Sequence, residues 1–168
     1  LLASVRALLA RDLAALGREV AAYPDDAAPW RQLPGLGNCG GTLVLHLAGN
    51  LRHFVGARLG GSGYVRDREA EFRERDLPRD ELAALVAAAA REVDAALATL
   101  PTARLLEPFP DALAGVRVVT GDLLVHLATH LTYHLGQVDS HRRLVSGDTA
   151  PVGALTIPAL ATAAPITS

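Results

Sequence analysis

The sequence predicts an all-α protein built as a four-helix bundle, and three observations carry that prediction. Ala and Leu abound while aromatic residues make up only 4% of the chain, a balance that favours helices over sheets. Four long segments repeat apolar residues at three- and four-residue steps, the period of one helix face. Pro, Gly and Asp separate those segments, and no convincing set of strands accompanies them. A length of 168 residues suits one domain with a sizeable core.

The first helix runs from about Leu1 to Ala22, with Leu2, Val5, Leu9, Leu13, Leu16 and Val20 on one face. Pro24, Asp25 and Asp26 stop it, because Pro cannot continue a helix and Asp favours turns. A loop over 24–38 carries Trp30 as a packing anchor, and Asn38 is placed to cap the second helix. That helix covers roughly Cys39 to Leu59 and ends at the run Gly60, Gly61, Ser62, Gly63. The charged stretch from Tyr64 to Phe72 reads as a solvated loop or short helix, since dense mixed charge is usually exposed. Asp80 and Glu81 suit the start of the third helix, which continues through Leu82, Val86, Val93 and Leu97 and stops before Pro101. Residues 101–119 form a connector in which Val116 to Val119 reads as extended. The fourth helix runs from a Thr120 cap to about Ser146 and ends at Gly147. Residues 1–147 are therefore read as the bundle domain, and 148–168 as a C-terminal tail, extended or loosely packed.

Composition narrows the function. The formal charge of −2 gives no reason to expect nucleic acid as a partner. All 16 basic residues are Arg, which reads as codon bias. No apolar run reaches the roughly 18–20 residues that span a bilayer, so no membrane association is expected. The single cysteine, Cys39, excludes an internal disulfide and suggests a reducing, cytoplasmic setting. The chain begins at Leu1 and contains no Met, so the native start is expected upstream.

The histidines carry the chemistry. His46 and His53 lie on the second helix, and His126, His130 and His134 on the fourth, with His141 further along. Residues four apart on a helix are neighbours, with Cβ atoms about 5–6 Å apart, and two such imidazoles can reach one ion at about 2.0–2.1 Å. His126 with His130 and His130 with His134 both meet that spacing. Each four-residue step turns the helix by about 40°, so His126 and His134 are splayed by about 80° and one ion is not expected to take all three. A ligand from another helix would complete a site. His46, mid-helix and flanked by Leu45 and Leu47, leads, and His53 lies two turns beyond it. Three imidazoles leave coordination positions open, as in a catalytic rather than a structural site.

The segment from His126 through His130 and His134 to Gly136 and Gln137 resembles the C-terminal helix motif of the DinB-like superfamily. The segment from Gly41 to His53, an apolar helix carrying His46, resembles its second-helix motif. The resemblance implies a four-helix bundle with up-up-down-down connections and a metal site formed by His46, His130 and His134. It further implies a divalent transition metal, zinc or nickel, and a homodimer. The resemblance implies a metal-dependent transferase acting on a small molecule or low-molecular-weight thiol, the open coordination positions suit a hydrolase equally well, and the rival expectation is a non-catalytic dimeric bundle with a structural or vestigial metal site. The chain has Leu135 where many relatives carry Arg before Gly-Gln.

Other residues are candidates for lesser roles. Gln137 could bond a group behind the ligands, and Asn50 lies one turn after His46. Asp67, Glu69 and Glu71 are the carboxylates that could act as a general base from a loop over the site, with the exposed reading ahead. Tyr133 is expected to point towards a core or dimer face, and Cys39 to be a buried small hydrophobe.

Overall fold

The computed structural model describes residues 1–153 and 156–165. Its α-helices are α1 (Leu2–Ala21), α2 (Gly40–Leu51), α3 (Arg68–Arg73), α4 (Arg79–Thr99) and α5 (Thr120–Ser146). The second runs on into a π-helical turn, Arg52–Ala57, in which the N–H groups of Arg58 and Gly60 reach the carbonyls of His53 and Val55, five residues back. No strand occurs among the described residues. Two isolated bridges, Pro108 with Val119 and Leu113 with Val116, tie down the connector before α5.

The core is the apolar stripe of each long helix turned inward. Leu9, Leu13, Leu16 and Val20 of α1 meet Leu43, Leu47 and Leu51 of α2, Leu82, Val86 and Val93 of α4, and Leu124, Leu127 and Leu131 of α5. Each such side chain contributes roughly 1.5–3 kcal/mol by leaving water, so packing rather than propensity holds the helices. Gly147 ends α5 with φ 72°, the left-handed cap that glycine adopts without strain. Two expected caps are used otherwise. Cys39, not Asn38, is the residue before α2, and no side chain caps that helix. The Thr120 hydroxyl donates to the Glu107 carbonyl at 3.1 Å, so it closes the connector instead of capping α5.

The helix directions correct the up-up-down-down order. Arg6 pairs with Asp94, and Arg79 reaches back to Asp26 and to the Tyr23 carbonyl, so α4 runs antiparallel to α1. Thr132 bonds Asp12 and Arg142 bonds Glu19, so α5 runs parallel to α1. His46 meets His130, while a side chain at Gly40 would meet His141, so α2 runs antiparallel to α5. The order is up-down-down-up. The physical reason lies in where each connection returns. Residues 22–39 fold back at the end where α1 stops, as the bond from Tyr23 to His141 shows, and deliver α2 downward. The connection from α2 to α4 must then climb the length of the bundle, and it carries α3 along the flank of α2.

Beyond α5 the chain is extended and gripped by arginines. Arg142 is fully buried; its Nε donates to Glu19 Oε2 at 2.8 Å, and its Nη atoms donate to the carbonyls of Asp148 and Ala150. Arg18 donates to the carbonyls of Val152 and Gly153. Residues 156–165 are exposed and include a 3₁₀ turn at Ile157–Ala159. Ala154, Leu155 and residues 166–168, part of the expected tail, lie outside the described residues. No helix of the described residues is long and apolar enough to cross a membrane.

Candidate metal centre

Antiparallel packing of α2 on α5 brings His46 against His130 and His134. His46 is buried, with Leu45 and Leu47 beside it in the core, and the two α5 histidines are half-buried one turn apart. Ring centroids are 5.2 Å apart for His46 and His130, 5.6 Å for His46 and His134, and 4.6 Å for His130 and His134. One nitrogen from each ring lies within 4.8 Å of the others. An ion bound at about 2.0–2.1 Å by three imidazoles sets their nitrogens about 2.9–3.4 Å apart. The Nε2 atoms of His46 and His130 already stand at 3.4 Å, at the upper end of that range.

The far sides of two rings have acceptors. His134 Nδ1 donates to Gln137 Oε1 at 2.6 Å, which leaves its Nε2 as a lone pair. His46 Nδ1 lies 3.1 Å from Glu71 Oε2. Glu71 belongs to α3 and is buried; Arg66 Nε and Nη2 donate to its two oxygens at 2.6 and 2.8 Å. Burial pushes the Glu71 carboxyl up, but Arg66 and His46 outweigh it and hold the group below the usual carboxylate range. His130 is pushed down to about 4, first by burial and then by the neighbouring His134, His46, His126 and Arg66. It is therefore neutral at pH 7, the form in which an imidazole can bind a cation.

The remaining candidates separate cleanly. His126 is exposed, with its ring 5.9 Å from His130 and outside the three-nitrogen group. His53 sits on the π-helical turn with its ring 4.8 Å from Phe54. Asp67 caps α3 by accepting from the Ala70 N–H at 2.9 Å, and Glu69 is exposed. Glu71 does reach the site, yet both its oxygens are engaged behind His46. Tyr133 is exposed, and Asn50 is buried with its Oδ1 unpartnered. Sequence reasoning passed over Arg66, Phe72, whose ring lies 5.1 Å from that of His46, and Gly49, where Glu71 lies against α2. The signal available was a glycine in the middle of an apolar helix, with no turn to require it.

An all-α bundle with three imidazoles converging from two helices defines a class of protein. The family model of the DinB superfamily matches residues 20–138, a span that holds all three histidines and Gln137, and the chain belongs to that superfamily. No curated protein and no solved structure matches it.

Proposed function

We propose that His46, His130 and His134 hold a divalent transition metal, zinc or nickel, and that the protein is a metal-dependent enzyme acting on a small molecule. The observation that carries this reading is the convergence of the three nitrogens within 4.8 Å. The chemistry of the donors supports it: neutral imidazole suits both ions, and three protein ligands leave positions open for a reactant. When bound, such an ion acts as a Lewis acid that lowers the pKa of a water or thiol or polarises a carbonyl. The reaction we assign is transfer to or from a low-molecular-weight thiol, or hydrolysis.

The chain's own residues supply the frame. Gln137 orients His134, and the bundle core holds the backbone of both ligand helices. A cleft of about 390 Å³ adjoins His134 and is lined in part by Asn38, Leu43, Tyr133, Gln137 and Ser140. These side chains are uncharged, so the cleft offers hydrogen bonds and apolar surface to a substrate. The reading includes a homodimer, for which sedimentation should give about twice the 17.6 kDa chain mass.

Metal content tests the proposal. Purified without chelators, the protein should carry about one zinc or nickel ion per chain, and His130→Ala should lose it. A wild type that neither carries nor takes up metal, or a His130→Ala variant that loads as well as wild type, contradicts the reading. Bound metal whose removal lowers Tm but changes no thiol-transfer or hydrolase activity would mark a structural site.

A further inference from the structure

The connection that climbs from α2 to α4 lays a six-residue helix over the middle of α2. A helix that short is not stable by itself. It is fixed by the Asp67 cap and by one buried contact group, Glu71 with Arg66 and His46. Gly49 makes the contact possible. A Cβ there would overlap Glu71 Oε1 and stand 2.9 Å from its Cδ, so any larger residue would push the carboxylate off the helix.

The His46 ring has two polar neighbours at Nδ1, and they demand opposite tautomers. Glu71 Oε2 at 3.1 Å needs a proton on Nδ1, whereas Arg66 Nη2 at 3.4 Å would donate to a bare Nδ1. The carboxylate contact is the shorter and involves an acceptor that carries a full charge, and Arg66 already spends its Nη2 and Nε on Glu71. We infer that α3 is a positioning segment: Glu71, braced by Arg66 and admitted by Gly49, holds His46 as the Nδ1–H tautomer so that its Nε2 lone pair faces His130 and His134.

The inference rests on the metal reading for its purpose and on its own geometry for its content. Glu71 acts through His46 and touches no reactant, so it is a positioning residue. Gln137 plays the same part for His134 from within α5, whereas Glu71 comes from a separate segment. The occupancy of the α3 contact therefore sets how well the buried ligand is presented.

Two measurements on the full chain test this. Long-range ¹H–¹⁵N NMR of the metal-free protein at about pH 8 reads the His46 tautomer directly. The expected result is Nδ1–H in wild type and a mixed or Nε2–H ring in Glu71→Ala. An Nε2–H ring in wild type, or an unchanged ring in Glu71→Ala, overturns the inference. The second measurement is zinc affinity by competition titration. Glu71→Ala and Gly49→Ala should each weaken it about 10–100-fold, and Gly49→Ala should also lower Tm, because its Cβ displaces the buried Glu71–Arg66 pair while cooperative unfolding shows that the bundle still folds. Affinities within threefold of wild type in both folded variants contradict the inference. If wild type binds no zinc, the metal reading fails and the tautomer alone decides the role of Glu71.

Discussion

His141 shows how a single buried side chain ties pH to stability. Its Nδ1 accepts from the Tyr23 hydroxyl at 2.8 Å and its Nε2–H donates to the Arg31 carbonyl at 2.8 Å, which ties the neutral ring on α5 to the end of α1 and to the connector that follows it. Burial pushes its pKa down, with the Arg31 bond opposing. The folded chain thus refuses a proton that the unfolded chain accepts. His141 contributes full stability above the ordinary histidine value near 6.5, and that contribution is lost as pH falls from there towards the lower folded value. Urea unfolding at stepped pH should show wild type weakening below about pH 6.5 by at most about 1.4 kcal/mol per pH unit from this group. His141→Gln should have a shallower slope, and equal slopes contradict the assignment. At this same scale the candidate ligands were legible and their support was not. The i, i+4 spacing marks His126 with His130 and His130 with His134 alike, leucines on either side favour His46 over His53, and the DinB-like resemblance selects His46, His130 and His134. Glu71 sits in a run of mixed charge that ordinarily faces water, and its partner His46 is 25 residues away, a contact no local pattern encodes.

At the scale of elements, the four long helices follow from apolar periodicity because each has enough turns to express a face. Their observed bounds lie close to those expected for α1, α4 and α5. The six residues of α3 span fewer than two turns, too short for a stripe to be scored, so only its Asp67 cap was there to be read. The π-helical turn escaped notice for a related reason: one widened turn shifts the register without breaking the apolar run. The fourth helix of the bundle carries two duties at once. Leu127, Leu131 and Leu135 bury into the core while His130 and His134 emerge beside them. Leu131 is 0% exposed and sits directly after a candidate ligand in the chain. Leu131→Ala should therefore lower unfolding free energy by about 2–5 kcal/mol in chemical denaturation. A loss under about 1 kcal/mol would show that α5 is not anchored as described.

At the scale of the whole molecule, the order of helix directions was the part of the fold that escaped sequence reasoning. Periodicity says which face of a helix is buried but not which way it runs. Direction depends on the end at which each connection returns, and that is fixed by contacts such as Tyr23 with His141. The up-down-down-up order has a consequence for the site. It forces one long climbing connection, and that connection supplies the carboxylate behind His46 while α5 supplies the other two imidazoles. The candidate centre is thus assembled from three parts of the chain that only the complete bundle brings together. The most direct test is a crystal structure of the metal-loaded protein with anomalous scattering recorded across the zinc and nickel edges. One peak is expected, at about 2.0–2.1 Å from a nitrogen of each of His46, His130 and His134. A metal-loaded crystal with no peak among these three rings, or with its peak at other residues, would contradict the assignment.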